Sequence, residues 1–333
     1  MADSTNVVES TAAPSSADVM SLLFPMRAAV ATTPALVLVR RPAGVTTAAA
    51  TGRLVAEHGR DIAVINGDEL RAMHPAAANP GPDAMQVVQA AAAEWVRSSL
   101  AFAREHRRSI LLEGSFTSQA TLGLARRFRD DGFEVRVVLC AARRSDSVLA
   151  AVSRHLSELR AGIASVFAGR DAVDRDRDGL YGLAAALEQP SAVGRVSVFG
   201  HSGASVFDVP GEVPETGFPG VRDAVGVAES GRRSSLEAAQ WLSELRRVTD
   251  FAKSRRNLPR PVVVALVELH EVALREVIPA LPVPAGSIAA AGIERNVAAD
   301  LVLLRRGLAI ERPGDIAAPS VAPVSPNRAG LDR

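Results

Sequence analysis

Four short apolar runs constrain the fold of this chain more than any other feature. They are ALVLV (35–39), DIAVIN (61–66), SILLEG (109–114) and EVRVVLC (134–140). Each ends at a turn and is followed by a stretch with helical spacing. The first such stretch is about Thr46–Ala56, closed by Gly59. The second, within 84–106, carries Met85, Val88, Ala92, Trp95, Val96, Leu100 and Ala103. The third runs from about Gln119 to Asp131, ended by Gly132, and the fourth from about Asp146 to Arg160. Near-continuous apolar strands suit a sheet covered on both faces, and strands alternating with helices join in parallel through right-handed crossovers. Ligands then bind in the crevice outside the carboxyl ends of the strands. The loop at 40–47, Asp68 and Glu113 each fall at the end of one of these runs.

Further along, RVSVFGHSGASVFDV (195–209) has two short β runs around GHSGA and reads as a hairpin at a sheet edge. Residues 234–256 and 261–277 read as helices, with Pro259 and Pro261 between them. The expected organisation is a flexible or helical segment over 1–30, a sheet domain over 31–210 and a mainly helical C-terminal appendage over 211–315. A disordered tail over 316–333 follows, where APSVAPVSPNRAGLDR shows no periodicity. With 333 residues, 47% of them hydrophobic, the chain can bury a sizeable core. A formal net charge of +1 gives no bulk electrostatic case for nucleic acid or an anionic membrane surface. No uncharged apolar run approaches the roughly 20 residues of a spanning helix. The polar N-terminus lacks the basic and apolar regions of a secretory signal. The one cysteine, Cys140, ends an apolar run and reads as a small buried hydrophobe; a cytoplasmic, reducing location is expected.

The loop RRPAGVTT (40–47) has the outline of a phosphate-binding turn between a strand and an Ala-rich helix. Such units bind phosphate because loop amides and the helix N-terminus point at the anion. Against the pattern G-x-x-x-x-G-K-[ST], Gly44, Thr46 and Thr47 are retained, Arg40 stands at the first glycine and Val45 replaces the lysine. The loop is also one residue short. Of 38 basic residues only Lys253 is a lysine, so Arg40 and Arg41 are the nearby cations left to grip phosphate. The bland alternative is an ordinary strand–turn–helix. Asp68, just past the second strand, can take a proton from a substrate hydroxyl, with Arg71 three residues on. Alternatively, Asp68 caps a helix and Arg71 is solvated. Glu113 projects a carboxylate into the same crevice, to bind a sugar hydroxyl or to hold Mg²⁺ through water; alternatively it belongs to a capped strand end. Arg154 and Arg170 can offset charge on a transferring phosphoryl group, or lie on the surface as solvated arginines. His74 reads as packing a turn, and Trp95 and Trp241 as core anchors. DAVDRDRDG (171–179) lacks the closing glutamate of a calcium loop and reads as a polar turn or helix start.

The loop at 40–47, INGDELRAMHP, LLEGSF, RFRDDGFEVRVVLCA, the arginine of VSRH, and VSVFGHSGASVFD follow in an order and spacing that resembles the zeta toxin family of bacterial P-loop kinases. The resemblance covers about residues 34–208. It implies a P-loop NTPase/kinase-like α/β fold. It implies ATP or GTP as donor with Mg²⁺, a hydroxyl of UDP-N-acetylglucosamine as acceptor, and a small helical antitoxin that blocks the nucleotide site. By the same resemblance Asp68 matches the general base, and Glu113 and Ser115 match the family's EGT substrate motif, with Arg71 beside them. Thr46 matches the Mg²⁺-binding hydroxyl, and Arg154 and Arg170 match the arginines over the nucleotide phosphates. The nucleotide side would comprise Arg40, Arg41, Gly44, Val45, Thr46 and Thr47. The departures are Val45, the missing loop residue, Thr117 where an arginine often follows EGT, and Arg177-Asp178 where a His-Asp pair is usual. Two functions therefore stay open. One is a kinase acting on a nucleotide-sugar hydroxyl. The other is a pseudokinase that binds a nucleotide, a nucleotide sugar or a partner protein without turnover.

Overall fold

The computed structural model describes residues 13–24, 33–42, 47–59, 61–77, 83–162, 167, 169–210, 217–255, 257–284 and 286–310. The expectations for Gly44, Val45, Thr46 and the 316–333 tail lie outside these residues.

The strands are β1 (Ala35–Arg40), β2 (Ala63–Asn66), β3 (Ile110–Gly114), β4 (Glu134–Cys140), β5 (Arg195–Phe199) and β6 (Ser205–Pro210), in the order β2-β3-β1-β4-β5-β6. All neighbours are parallel except β5 and β6, which form an antiparallel hairpin at the edge. The four apolar runs are therefore four neighbouring strands of one sheet; the run 134–140 is β4 itself, and the other three are trimmed or extended by a residue or two. Helices α1 (Ser16–Leu23), α2 (Ala48–His58), α3 (Gly67–Ala72), α4 (Ala84–Glu105), α5 (Ser118–Asp130), α6 (Arg144–Arg160) and α7 (Gly169–Leu187) surround it. After the hairpin come α8 (Val221–Ser230), α9 (Ser235–Lys253), α10 (Arg260–Val272) and α11 (Ile288–Ile310). The acidic-basic stretch 171–179 lies inside α7, the helical one of its two readings.

Period-two alternation divides the strands between two layers. On β1, Leu36 and Leu38 join a cluster with Val19 of α1, Trp95 of α4, Phe128 of α5 and Leu183 of α7. Val37 and Val39 pack the opposite way, against Ala50 and Leu54 of α2. A third cluster joins Val152 and Leu156 of α6 to Trp241 and Leu245 of α9, Leu266 and Leu269 of α10 and Leu304 of α11. Helices α9, α10 and α11 thus build their core on the same α6 that follows β4, while α8 places Val221 and Val225 in the sheet cluster.

One expected element changes character. The helix expected over 261–277 leaves α-geometry after Val272, becoming a π-helical turn over 273–277 and a 3₁₀ turn over 278–280. Pro279 gives the reason. Its ring clashes with the carbonyl four residues back, at Arg275, and it offers no amide to close an α-turn.

Candidate functional site

β1 has β3 on one side and β4 on the other, while the chain order runs outward from it, so the crevice opens at its carboxyl end. A cleft of about 1090 Å³ lies there, lined by Arg41, Thr47, Thr51, Asn66, Asp68, Arg71, Glu113 and Arg154 among others. It continues into a smaller recess that adds Ser115 and Phe116.

Asp68 is held from both sides. Arg41 Nη2 donates to Oδ2 and Arg71 Nη2 to Oδ1. The amide of Asp68 donates to Asn66 Oδ1 at 2.9 Å, so the N-cap of α3 is Asn66, and Asp68 is left with its carboxylate facing the cleft. Glu113 is 5% exposed. Thr51 Oγ1 donates to its Oε1, Asn66 Nδ2 to its Oε2 at 2.8 Å, and Arg41 Nε stands 4.0 Å from Oε2. That Nε is buried and makes no hydrogen bond. Ser115 Oγ donates to the Arg41 carbonyl at 3.3 Å, tying the end of β3 to the start of the loop. Thr47 is buried as N-cap residue of α2, and its carbonyl accepts from Thr51 at 2.8 Å.

Arg41, Arg71 and Arg154 share the cleft lining with four carboxylates, Asp68, Glu69, Glu113 and Glu158, so the lining as a whole carries one more negative than positive charge. Burial, and then the charges of Arg154 and Arg41, lower the pKa of Arg71 from its ordinary value. The three guanidiniums repel one another, and an anionic group placed among them would relieve that repulsion. Cys140, at the end of β4, is pushed up to about 12 by burial, with the charge of Glu113 adding to the effect; it stays a neutral thiol.

Two expected site residues go elsewhere. Arg40 is buried, its Nη2 bonded to Asp176 of α7 at 2.6 Å and its Nη1 to the Arg41 carbonyl at 2.9 Å. It does not line the cleft. Arg170 pairs with Glu268 of α10 at 2.8 Å and is likewise absent from the lining. Arg177, which with Asp178 stands where a His-Asp pair is usual, is held by Glu229 at 2.7 Å. Thr117 caps α5, accepting from Ala120 at 3.2 Å.

Thr51 and Asn66 were not among the expected site residues, yet they hold Glu113. Thr47, Ala50, Thr51 and Leu54 recur at the spacing of one helix face, and that pattern could have picked out Thr51. The hairpin turn also supports the site. Gly203, at φ +74°, sits so close to the first turn of α2 that an added Cβ would lie 2.8 Å from the Ala49 Cβ, and Arg53 of α2 donates to its carbonyl at 3.1 Å.

Among the described residues no helix is long and apolar enough to cross a membrane. No group of three or more His, Cys, Asp or Glu among them could hold a metal ion. With Glu113 already engaged at both oxygens, the donor set fits a Mg²⁺ carried in on nucleotide phosphates and water, and not a cage made by the protein.

No curated protein matches the sequence. A solved chain from the PezAT chromosomal toxin–antitoxin system of the human pathogen Streptococcus pneumoniae is similar in fold. Its TM-score is 0.56 at 16% sequence identity, over 69% of this chain and 91% of that one. The zeta toxin family model matches residues 31–208, more than half of the chain, together with the sheet and the cleft described above. The chain belongs to the zeta toxin family.

Proposed function

We propose that the protein is a phosphotransferase that moves the γ-phosphoryl group of ATP or GTP onto a hydroxyl of a nucleotide sugar of the UDP-N-acetylglucosamine type. The observation that carries this reading is the convergence of Asp68, Glu113, Arg71 and Arg154 on one cleft at the carboxyl edge of the sheet. Asp68 accepts the hydroxyl proton through the oxygen that Arg41 now occupies. Arg71 keeps the other oxygen and fixes the carboxylate plane. Glu113, immobilised by Thr51 and Asn66, accepts hydrogen bonds from sugar hydroxyls at the cleft floor. Arg154 balances charge on the transferring group. Mg²⁺ would enter with the nucleotide, with Thr46 as its implied hydroxyl ligand, and would neutralise charge at the phosphates. The likeness to a chain of a toxin–antitoxin system supports a protein partner that covers this cleft, a small helical antitoxin in kind.

Two observations favour the second reading, binding without turnover. Val45 removes a lysine charge that, about 4 Å from a phosphate oxygen, contributes roughly 4 kcal/mol at an effective dielectric near 20. That is about a thousandfold in rate. Arg41 is also clasped onto Asp68. Transfer of labelled γ-phosphate to UDP-N-acetylglucosamine, with nucleotide binding measured in parallel by calorimetry, separates the readings. The kinase reading expects slow transfer, abolished in Asp68→Asn while nucleotide affinity stays within a few fold, since a base acts in the transition state. Transfer that survives Asp68→Asn removes Asp68 from the mechanism. Nucleotide binding with no transfer under any condition selects the non-catalytic reading.

A further inference from the structure

A second cavity, of about 920 Å³, opens between the sheet unit and the C-terminal helices and shares no lining residue with the cleft. Its walls present six guanidiniums, those of Arg143, Arg144, Arg177, Arg232, Arg233 and Arg275, against the three carboxylates Glu229, Glu268 and Glu276. Asp146, Asp174 and Glu237 stand behind the wall as partners of Arg143, Arg144 and Arg233, and Arg170 adds one cation on Glu268. Counting these, one positive charge remains uncompensated, and the least compensated groups are at the mouth. Arg232 is exposed and makes no ion pair among the described residues. Arg275 is 69% exposed and pairs only with its neighbour Glu276, at 2.9 Å.

The inner arginines are fixed in position. Arg144 is gripped by Asp174 at 2.5 and 2.9 Å, and its Nη1 donates to Glu268. Arg177 gives Nε and Nη2 to Glu229 at 2.9 and 2.7 Å and lies over the Tyr181 ring, 5.2 Å from its centroid. Arg233 is 4% exposed, bonded to Ser145 at 2.7 Å, and lies over Trp241 with 5.3 Å to the ring centroid. Gathering this many charges in a partly dry seam is a weak way to join helices, because desolvation offsets most of the Coulomb gain. It does set guanidiniums, the groups that match phosphate oxygens, at fixed positions around the cavity, where a phosphate would exchange with the carboxylates they now hold. The π-helical turn carries Arg275 and Glu276 to the mouth, and such turns concentrate at functional sites. The volume is that of a small-molecule site.

We propose that this cavity binds a small anion carrying two or more linked phosphates. The phosphates lie among Arg144, Arg177 and Arg233, and Arg232 and Arg275 close over them from the mouth.

The test is calorimetric titration of the full chain with tripolyphosphate, ADP and inorganic phosphate at fixed ionic strength. It uses wild type, the mouth variant Arg232→Glu/Arg275→Glu, its milder form Arg232→Gln/Arg275→Gln, and the cleft variant Arg154→Ala. Tripolyphosphate should bind wild type and Arg154→Ala alike. Its affinity should fall at least about tenfold in the Glu variant, the scale of one lost charge-assisted bond, and by less in the Gln variant. The part of ATP binding that Arg154→Ala removes should be unchanged by either mouth variant, so failure here is separable from failure of the kinase reading. Equal affinity for ADP and tripolyphosphate assigns recognition to the phosphates alone; tighter ADP, with the excess lost in the mouth variants and kept in Arg154→Ala, adds a nucleoside contact to the same site. Binding unaltered in the Glu variant, binding lost in Arg154→Ala, or no binding at millimolar concentration overturns the proposal. So does capture of an acidic peptide by wild type without any affinity for tripolyphosphate.

Discussion

Replacing Arg41 by Gln tests what the guanidinium between the two carboxylates does. Arg41 is 12% exposed, donates to Asp68 and lies 4.0 Å from Glu113. At 4 Å and an effective dielectric near 20 the bare attraction is about 4 kcal/mol. Asp68 is 41% exposed, so solvent screens that pair, and desolvation of Arg41 removes part of the remainder. A net stabilisation of about 1–2 kcal/mol is left, all of it in the ground state if Arg41 must leave Oδ2 before Asp68 accepts a proton. Arg41→Gln should then raise kcat by about 5- to 30-fold, with the KM for ATP little changed. Glu113 keeps its Thr51 and Asn66 donors, so the thermal midpoint should fall by only a few degrees. Steady-state transfer to a nucleotide sugar and a thermal melt give both numbers. A rise in the KM for ATP with a fall in kcat/KM would refute the reasoning. It would mean that Arg41 grips phosphate in place of the missing lysine.

The remaining predictions follow from single features. Replacing RRPAGVTT by a full-length loop of the form GxPGxGKTT restores charge and cradle together and should raise ATP affinity and transfer; Val45→Lys alone should do less, because the missing residue alters where side chain and amides point. Phe128→Ala removes a ring that is fully buried and packs edge-on against Phe133 at 4.8 Å, and should cost about 3–5 kcal/mol in denaturant unfolding. Burial lowers the pKa of His270, whose Nδ1 lies 2.7 Å from the Leu266 carbonyl, and burial likewise lowers those of His58 and His155. The unfolded chain then binds more protons, so stability is intact above the ordinary value of 6.5 and declines as pH falls below it. In His270→Gln, part of that slope should disappear from the urea midpoint measured across pH.

The strands were legible because burial on both faces leaves an uninterrupted apolar run, a pattern that solvent-facing strands do not share. The C-terminal helices were legible as helices, but their packing was not. Trp241 reads as a core anchor from its size, yet nothing local says that its core is shared with Val152 and Leu156 of α6. The π-helical turn was visible only as Pro279, a residue whose effect falls four positions earlier. At the cleft, Asp68 and Glu113 were legible because each sits at the carboxyl end of a strand-like run, Glu113 within β3 and Asp68 just past β2, and strand ends fix position to within a few residues. The guanidiniums were harder. An arginine reaches far beyond its backbone, and in a chain with 37 acidic residues its partner is a choice made within a few ångströms.

Arg40 and Arg41 show how much of that choice the sequence does hold. Both were candidates for phosphate because both sit at the end of β1. Strand alternation forbids the joint assignment: adjacent residues point to opposite faces. Arg40 continues the face of Leu36 and Leu38, the layer of α5 and α7, and it bonds Asp176 of α7. Arg41 continues the face of Val37 and Val39, the layer of α2, and so do Leu111 and Glu113 on β3. Arg41, Glu113 and Thr51 of α2 meet for that reason. The parity of two strands therefore separates the arginine that can touch the reacting groups from the one that fastens α7 to the sheet. Arg40→Gln should accordingly lower stability, by the loss of a buried pair, and leave nucleotide affinity unchanged. A selective loss of ATP binding in that variant, with an unaltered thermal midpoint, would contradict the parity argument.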